Sequence, residues 1–291
     1  MKNNAVKFSL PAFLSGRNVI AASVIGLALT AAMPNAHAHR SWLLPSATVL
    51  SGEQPWVTVD AAVSNDLFYF EHQPLRLDGL QVIAPDGKKV AAQNASTGRY
   101  RSTFDVKLDQ SGTYRIAVVS EGLMASYKLG KESKRWRGQE KDFKRAIPEG
   151  ATDVNVSRNH RRVETFVTAG KPNTTALALT NVGLEMVPVT HPNDLFQGEE
   201  STFKFVFDGK PVAGMTVEVV QDGIRYQNKL NEIEVKTNDK GEFKVTWDNP
   251  GKYWISADWP QRVEGAPAPV GTIEKPVQRA GYAATVEVLP Q

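Results

Sequence analysis

Phe104-Asp-Val-Lys-Leu-Asp-Gln-Ser-Gly-Thr-Tyr-Arg-Ile116 aligns without a gap on Phe243-Lys-Val-Thr-Trp-Asp-Asn-Pro-Gly-Lys-Tyr-Trp-Ile255. The shared pattern is F-x-V-x-x-D-x-x-G-x-Y-x-I. Alternating Phe and Val make a strand, the Asp-x-x-Gly stretch makes a tight turn, and Tyr and Ile share one face of a second strand. Asp109 and Asp248 are expected to bond turn amides, and Gly112 and Gly251 to take positive φ. Two more elements repeat upstream in the same order. Asp86-Gly87 corresponds to Asp222-Gly223, each after a Val-rich strand, and Gly52-Glu53 before Trp56 corresponds to Gly198-Glu199 before Thr202. Three matched elements in one order imply a duplicated unit.

The rest of the chain fits that unit. Trp56-Val-Thr-Val-Asp-Ala-Ala-Val63, Tyr114-Arg-Ile-Ala-Val-Val119, Thr202-Phe-Lys-Phe-Val-Phe207 and Thr216-Val-Glu-Val-Val220 alternate with period two, and Asp208-Gly209 and Asp239-Lys-Gly241 add turn signals. The expected fold is all-β, as two tandem immunoglobulin-like or transthyretin-like β-sandwiches over residues 39–182 and 183–291. The second half, holding a complete repeat, should fold alone. A charged insertion at about 120–160 lengthens the first half, with Lys131, Lys134, Arg135, Arg137, Lys141, Lys144 and Arg145 set against Glu132, Glu140 and Asp142. A solvated loop or short helix is expected there, with Trp136 and Phe143 folding back onto the sheet. Val163-Glu-Thr-Phe-Val-Thr-Ala169 reads as the strand closing the first domain.

Composition narrows the function. The chain has 291 residues, 41% of them hydrophobic, and no cysteine, which excludes disulfides, thiolate metal sites and a cysteine nucleophile. Residues 1–38 carry Lys2, Lys7 and Arg17 without an acid, then the apolar run Val19–Ala32, then Ala36-His37-Ala38. That order is a secretory signal peptide with an A-x-A cleavage site, giving a periplasmic or secreted protein. The three cations are the whole of the +3 net charge. The mature chain is then neutral, with no surplus to attract nucleic acid and no apolar run able to span a membrane. Nucleophile-elbow, zinc-protease, phosphate-loop and dinucleotide motifs are absent, so an enzyme is not expected.

Histidine is scarce enough to be informative. Cleavage after Ala38 would make His39 the first mature residue, and a free α-amine beside an imidazole is a bidentate nitrogen chelate suited to Cu(II), Ni(II) or Co(II). His72 closes Asp66-Leu-Phe-Tyr-Phe-Glu-His72, expected as a loop after the strand Val57–Val63. Asp66 and Glu71 are candidate carboxylate ligands or orienting groups. His160 lies among Arg158, Arg161 and Arg162, whose charge disfavours a bound cation. His191 most simply serves the linker between the repeats.

His39-Arg-Ser-Trp-Leu-Leu-Pro-Ser46, Leu67-Phe-Tyr-Phe-Glu-His-Gln-Pro74, Arg162-Val-Glu-Thr-Phe-Val-Thr-Ala-Gly170 and Thr237-Asn-Asp-Lys-Gly-Glu-Phe-Lys-Val-Thr-Trp247 resemble blocks of a bacterial domain-of-unknown-function family. Its members are predicted periplasmic components of cobalt/nickel uptake systems. The resemblance covers most of the mature chain and implies a metal-handling role, with His39 and His72 as ligands. The expectation is therefore a periplasmic protein that binds a divalent transition metal (Ni, Co or Cu) or its chelate and assists uptake through a membrane transporter. Two alternatives remain open. One is a non-catalytic interaction or adhesion module docking an outer-membrane receptor. The other is a copper redox enzyme built on an N-terminal histidine brace.

Overall fold

The computed structural model describes residues 39–226, 232–261 and 265–291. The expected signal peptide, 1–38, lies outside them. The first repeat begins with β1 (Arg40–Pro45), β2 (Val49–Leu50), β3 (Trp56–Ser64), β4 (Gln73–Pro74), β5 (Leu80–Ile83) and β6 (Lys89–Val90). It continues through β7 (Gln93–Thr97), β8 (Ser102–Lys107), β9 (Gly112–Leu129), β10 (Glu132–Gly138), one helical turn α1 (Phe143–Ala146) and β11 (Thr152–Ala169). The second contains β12 (Leu184–Pro188), β13 (Glu200–Phe207), β14 (Lys210–Pro211), β15 (Thr216–Gln221) and β16 (Ile233–Lys236). Then come β17 (Glu242–Thr246), β18 (Gly251–Trp259) and β19 (Val277–Val288). The all-β expectation holds.

Three sheets are built from these strands. A central sheet runs β16-β15-β18-β19-β11-β9-β5-β6, with β10 added to β9 and β2 to β11. A five-stranded sheet runs β1-β3-β8-β7 with β4 beside β3, and a four-stranded sheet holds β12, β13, β14 and β17. Side-chain alternation shows how they stack. In β18, Tyr253 and Ile255 enter the core formed with the four-stranded sheet, whereas Trp254 enters the core formed with the five-stranded one. Val219 and Val220, and Ala284 and Ala283, divide the same way. Successive residues of a strand point to opposite faces, so the two outer sheets cover opposite faces of the central sheet. This is why Tyr253-Trp254-Ile255 is apolar without a break: a strand buried on both sides has no solvent face to keep polar.

The duplicated unit survives in detail. Gly112 and Gly251 have φ of +138° and +134°. The Tyr253 hydroxyl donates to the Asn249 carbonyl at 2.8 Å, and the Tyr114 hydroxyl accepts the Gln110 amide at 2.8 Å, each four residues back. These hydroxyls tie the turns. Among the described residues neither expected carboxylate bonds a turn amide, and Asp109 instead pairs with Lys107 at 2.9 Å.

The division at 182/183 follows the cores only in part. Phe166 and Leu177 belong to the second core, while Val220, Ile224, Trp254 and Ala283 belong to the first. The strand expected to close the first domain, β11, pairs in parallel with β19 from Ser157↔Val277 to Thr165↔Thr285, so one sheet crosses the boundary. The described residues fall within one compact unit.

The insertion holds the short helix expected, α1, but most of it is sheet rather than a solvated loop. β9 and β11 each extend to 18 residues and β10 pairs along β9, so the charged segment prolongs the sheet. Trp136 and Phe143 do fold back, in edge-to-face contact at 5.5 Å, over a small core that includes Leu123, Ala125 and Val156.

Candidate functional site

The register of β3 brings the candidate residues toward each other. On one side of β3, Arg40 of β1 lies opposite Ser64; on the other, Gln73 of β4 lies opposite Val63. His39 and His72, one residue outside these pairs, therefore flank the same end of β3. The loop between β3 and β4 is pinned by Leu67 and Phe68, both buried in the first core. Trp42, fully buried on β1, meets Phe68 at 5.4 Å and Phe70 at 5.2 Å. Phe68 takes a φ of +61°, an unfavourable conformation for a bulky residue that this packing holds in place. Arg40 donates to the Asn65 carbonyl at 3.2 Å and fixes the start of β1 to the loop.

On this frame the two imidazoles stack, with ring centroids 4.0 Å apart and planes inclined by 15°. Both residues are exposed, so solvent and solutes reach them. Among the described residues the Glu71 carboxylate has other partners and Asp66 takes part through its backbone. Glu71 accepts the Asp66 amide at 3.2 Å and faces Arg225 at 3.7 Å. Asp66 contributes its carbonyl to a turn that receives the Tyr69 amide. Arg225 also lies 4.6 Å over the Tyr69 ring, whose hydroxyl bonds that of Tyr226, so the second repeat reaches the rim of the loop.

Of the four candidates, the structure places His39 against His72 and leaves Glu71 and Asp66 as loop-ordering groups. Among the described residues no cluster of three or more His, Cys, Asp or Glu is arranged to hold a metal. The two rings alone can present imidazole nitrogens to one ion after a side-chain rotation. A third nitrogen is at hand only if the chain starts at His39, since a free α-amine belongs to the same residue.

The other histidines divide as well. His160 lies 3.9 Å from Glu121 at the wall of a cleft, and its three neighbouring arginines differ in their partners. Arg158 is in fact committed to Glu121 and Glu140, and Arg162 is buried with Glu164 and Glu185. Arg161 alone of the three turns into the cleft. His191 serves the connection between the repeats, as expected: its Nε2 lies 2.9 Å from the Thr113 hydroxyl.

A search of the curated proteins found no match. Among solved structures, the D0-D1 domain of Intimin is similar at 15% identity over 85% of this chain and 97% of that one, with a TM-score of 0.22. The D00-D0 domain of Intimin is similar at 14% identity over 86% and 100%, with a TM-score of 0.20. At such scores the likeness carries no argument, and the all-β assignment stands on the sheets themselves. The family described as domain of unknown function DUF4198 matches residues 36–261, from the start of the site to the end of β18. The chain belongs to that family.

Proposed function

We propose that the chain, once residues 1–38 are removed on export, binds a divalent transition-metal ion, Ni, Co or Cu, and serves its uptake in the periplasm. The contact between His39 and His72 carries this reading, because two exposed imidazoles from different elements stack at 4.0 Å on a loop that the core pins. Exposed rings gain little stability from such contact, whereas two borderline-soft nitrogen donors suit these metals. The amine of His39 completes a three-nitrogen set. Glu71, held by Arg225 and by the Asp66 amide, orders the loop rather than ligating.

The test uses the exported chain and its variants. N-terminal sequencing must begin at His39. Calorimetry with Ni(II), Co(II) and Cu(II) then compares the parent with His72→Ala and with a chain carrying one extra Gly before His39. Each change is expected to weaken binding more than about tenfold, or ~1.4 kcal/mol. Binding should also weaken as the pH falls, because amine and imidazole coordinate only in their neutral forms. Affinity unaltered by both changes, or no specific binding in the parent, overturns the reading.

A further inference from the structure

The five-stranded sheet does not cover the whole of its face of the central sheet. It ends at β1, where the Ser41 hydroxyl accepts a hydrogen bond from Arg161 Nη2. Beyond that edge the face continues open across β19, β11, β9 and β10, and a cleft of about 580 Å³ lies there. A second hollow of about 210 Å³ adjoins it, the two sharing Arg279.

The ladder explains why the cleft is hollow and why it is cationic. Arg161 on β11, Gly281 on β19 and Asp258 on β18 occupy one row. Gly281 supplies no side chain to fill the middle, and a Cβ there would lie 2.9 Å from the Asp258 carboxylate. Arg279 stands two residues along β19 on the same face, and Arg137 comes in from β10. Among the described residues three guanidinium groups thus line a concavity whose one lining carboxylate is Asp258, and none of the three forms an ion pair. Burial, offset in part by the Asp258 carboxylate, lowers the Arg161 guanidinium below its ordinary pKa. Burial likewise raises the Asp258 carboxyl. Both side chains remain exposed to the cleft, and among the described residues three guanidinium groups against one carboxylate leave a positive excess there.

We propose that this cleft is a binding site for a small multivalent oxyanion, a polycarboxylate or a phosphate, bridging Arg137, Arg161 and Arg279. Planar guanidinium groups pair with carboxylate and phosphate oxygens in a two-pronged geometry, and three of them around one hollow favour a ligand with more than one anionic group. Asn159 on the same wall adds a neutral amide. Asp258 disfavours a ligand that presents only anionic oxygens to β18 and accepts a hydrogen bond from one that carries a hydroxyl.

Calorimetry at low ionic strength with citrate and with inorganic phosphate tests this, on the metal-free chain and on His72→Ala, so that the outcome is independent of the imidazole pair. At least one probe is expected to bind, and which one does assigns carboxylate or phosphate. Arg137→Gln and Arg279→Gln should each weaken binding about fivefold to tenfold, and Asp258→Asn should tighten it. Lys144→Gln, which removes one positive charge from the exposed α1 away from the cleft, should leave affinity within twofold of the parent. Failure of both probes to bind, or equal weakening by Lys144→Gln and Arg137→Gln, overturns the proposal, the latter because it would reduce the cleft to overall charge.

Discussion

The backbone amide of Asn193 donates to Nδ1 of His191 at 3.2 Å, and this one bond fixes the tautomer of a ring half-buried between the repeats. With Nδ1 accepting, Nε2 carries the proton and donates to the Thr113 hydroxyl at 2.9 Å, sharing it with the Asn173 carbonyl at 3.2 Å. Thr113 then donates to Thr168, and Thr168 donates to the Asn193 side-chain carbonyl, each at 2.9 Å. The ring of four residues closes with every proton assigned. Burial lowers the pKa of His191, so the unfolded chain takes up a proton more readily than the folded one. Stability is therefore full above the unfolded value of about 6.5 and falls as pH drops through it toward the lower folded value. Urea midpoints at pH 7.5 and 5.5 should separate more for the parent than for His191→Ala. The variant should also lose about 1–3 kcal/mol at the higher pH, where the Thr113 hydroxyl loses a donor and the Asn193 backbone amide its acceptor.

A buried ionic cluster joins the strands that bridge the two cores. Arg162 pairs with Glu164 at 3.3 Å and Glu185 at 3.2 Å, and the Tyr282 hydroxyl donates to Glu164 at 2.6 Å. Burial, then the adjacent Glu164 carboxylate, pushes the Tyr282 hydroxyl well above its ordinary pKa, so it stays a donor. Glu185 also accepts the Thr180 and Asn181 amides, which fastens the segment leading into β12. Replacing Glu185 by Ala strips these bonds and leaves Arg162 underpaired, at an expected cost of about 3–5 kcal/mol. Tyr282→Phe removes one hydrogen bond and should cost about 1–3 kcal/mol. Equilibrium denaturation measures both, and a larger loss for Tyr282→Phe would contradict the ranking.

The matched turn glycines make a controlled comparison. Gly112 and Gly251 share a φ that side chains rarely adopt, but their surroundings differ. A Cβ on Gly112 would come within 2.5 Å of Pro85, whereas one on Gly251 would meet only the Gln221 side chain at 3.5 Å. Gly251→Ala should cost the strain alone, about 1–3 kcal/mol, and Gly112→Ala clearly more. Thermal unfolding of the two variants in parallel reads the difference.

The fragment 183–291 tests the division between the repeats. It keeps β12 to β19 but loses β11, and with β11 both the parallel partner of β19 and Phe166 from the core. It also exposes Trp254 and Ala283, which the first repeat covers. The complete repeat implies folding alone, whereas the shared sheet predicts the opposite. The fragment should associate through the bared β19 edge and lack the cooperative transition of the parent, as light scattering and urea denaturation would reveal.

Local features were legible in the sequence. The F-x-V-x-x-D-x-x-G-x-Y-x-I pattern specified two strands and a positive-φ glycine, and both copies have them. The loop that carries His72 follows in the sequence from the end of the strand Val57–Val63, and hairpin reversal at β3 brings that loop back beside His39. The β11–β19 pairing left no such mark. It joins residues about 120 positions apart in parallel, and no turn motif sets the register of a parallel pair. Its one trace was the unbroken apolar run Tyr253-Trp254-Ile255, which reports burial on both faces but not by what. The arginine cleft was hidden for a related reason: its three cations come from three strands, and its hollow depends on the missing side chain of Gly281.

The position of β19 has a consequence for the timing of folding. Of all the strands in the central sheet it comes last in sequence, yet it sits between β18 and β11 in the interior of that sheet. A ribosome therefore delivers β11 and β18 well before the strand that joins them, and until then each has an unsatisfied edge. The two halves cannot close around a common layer until residues 277–288 have emerged, and contacts of such long range form slowly.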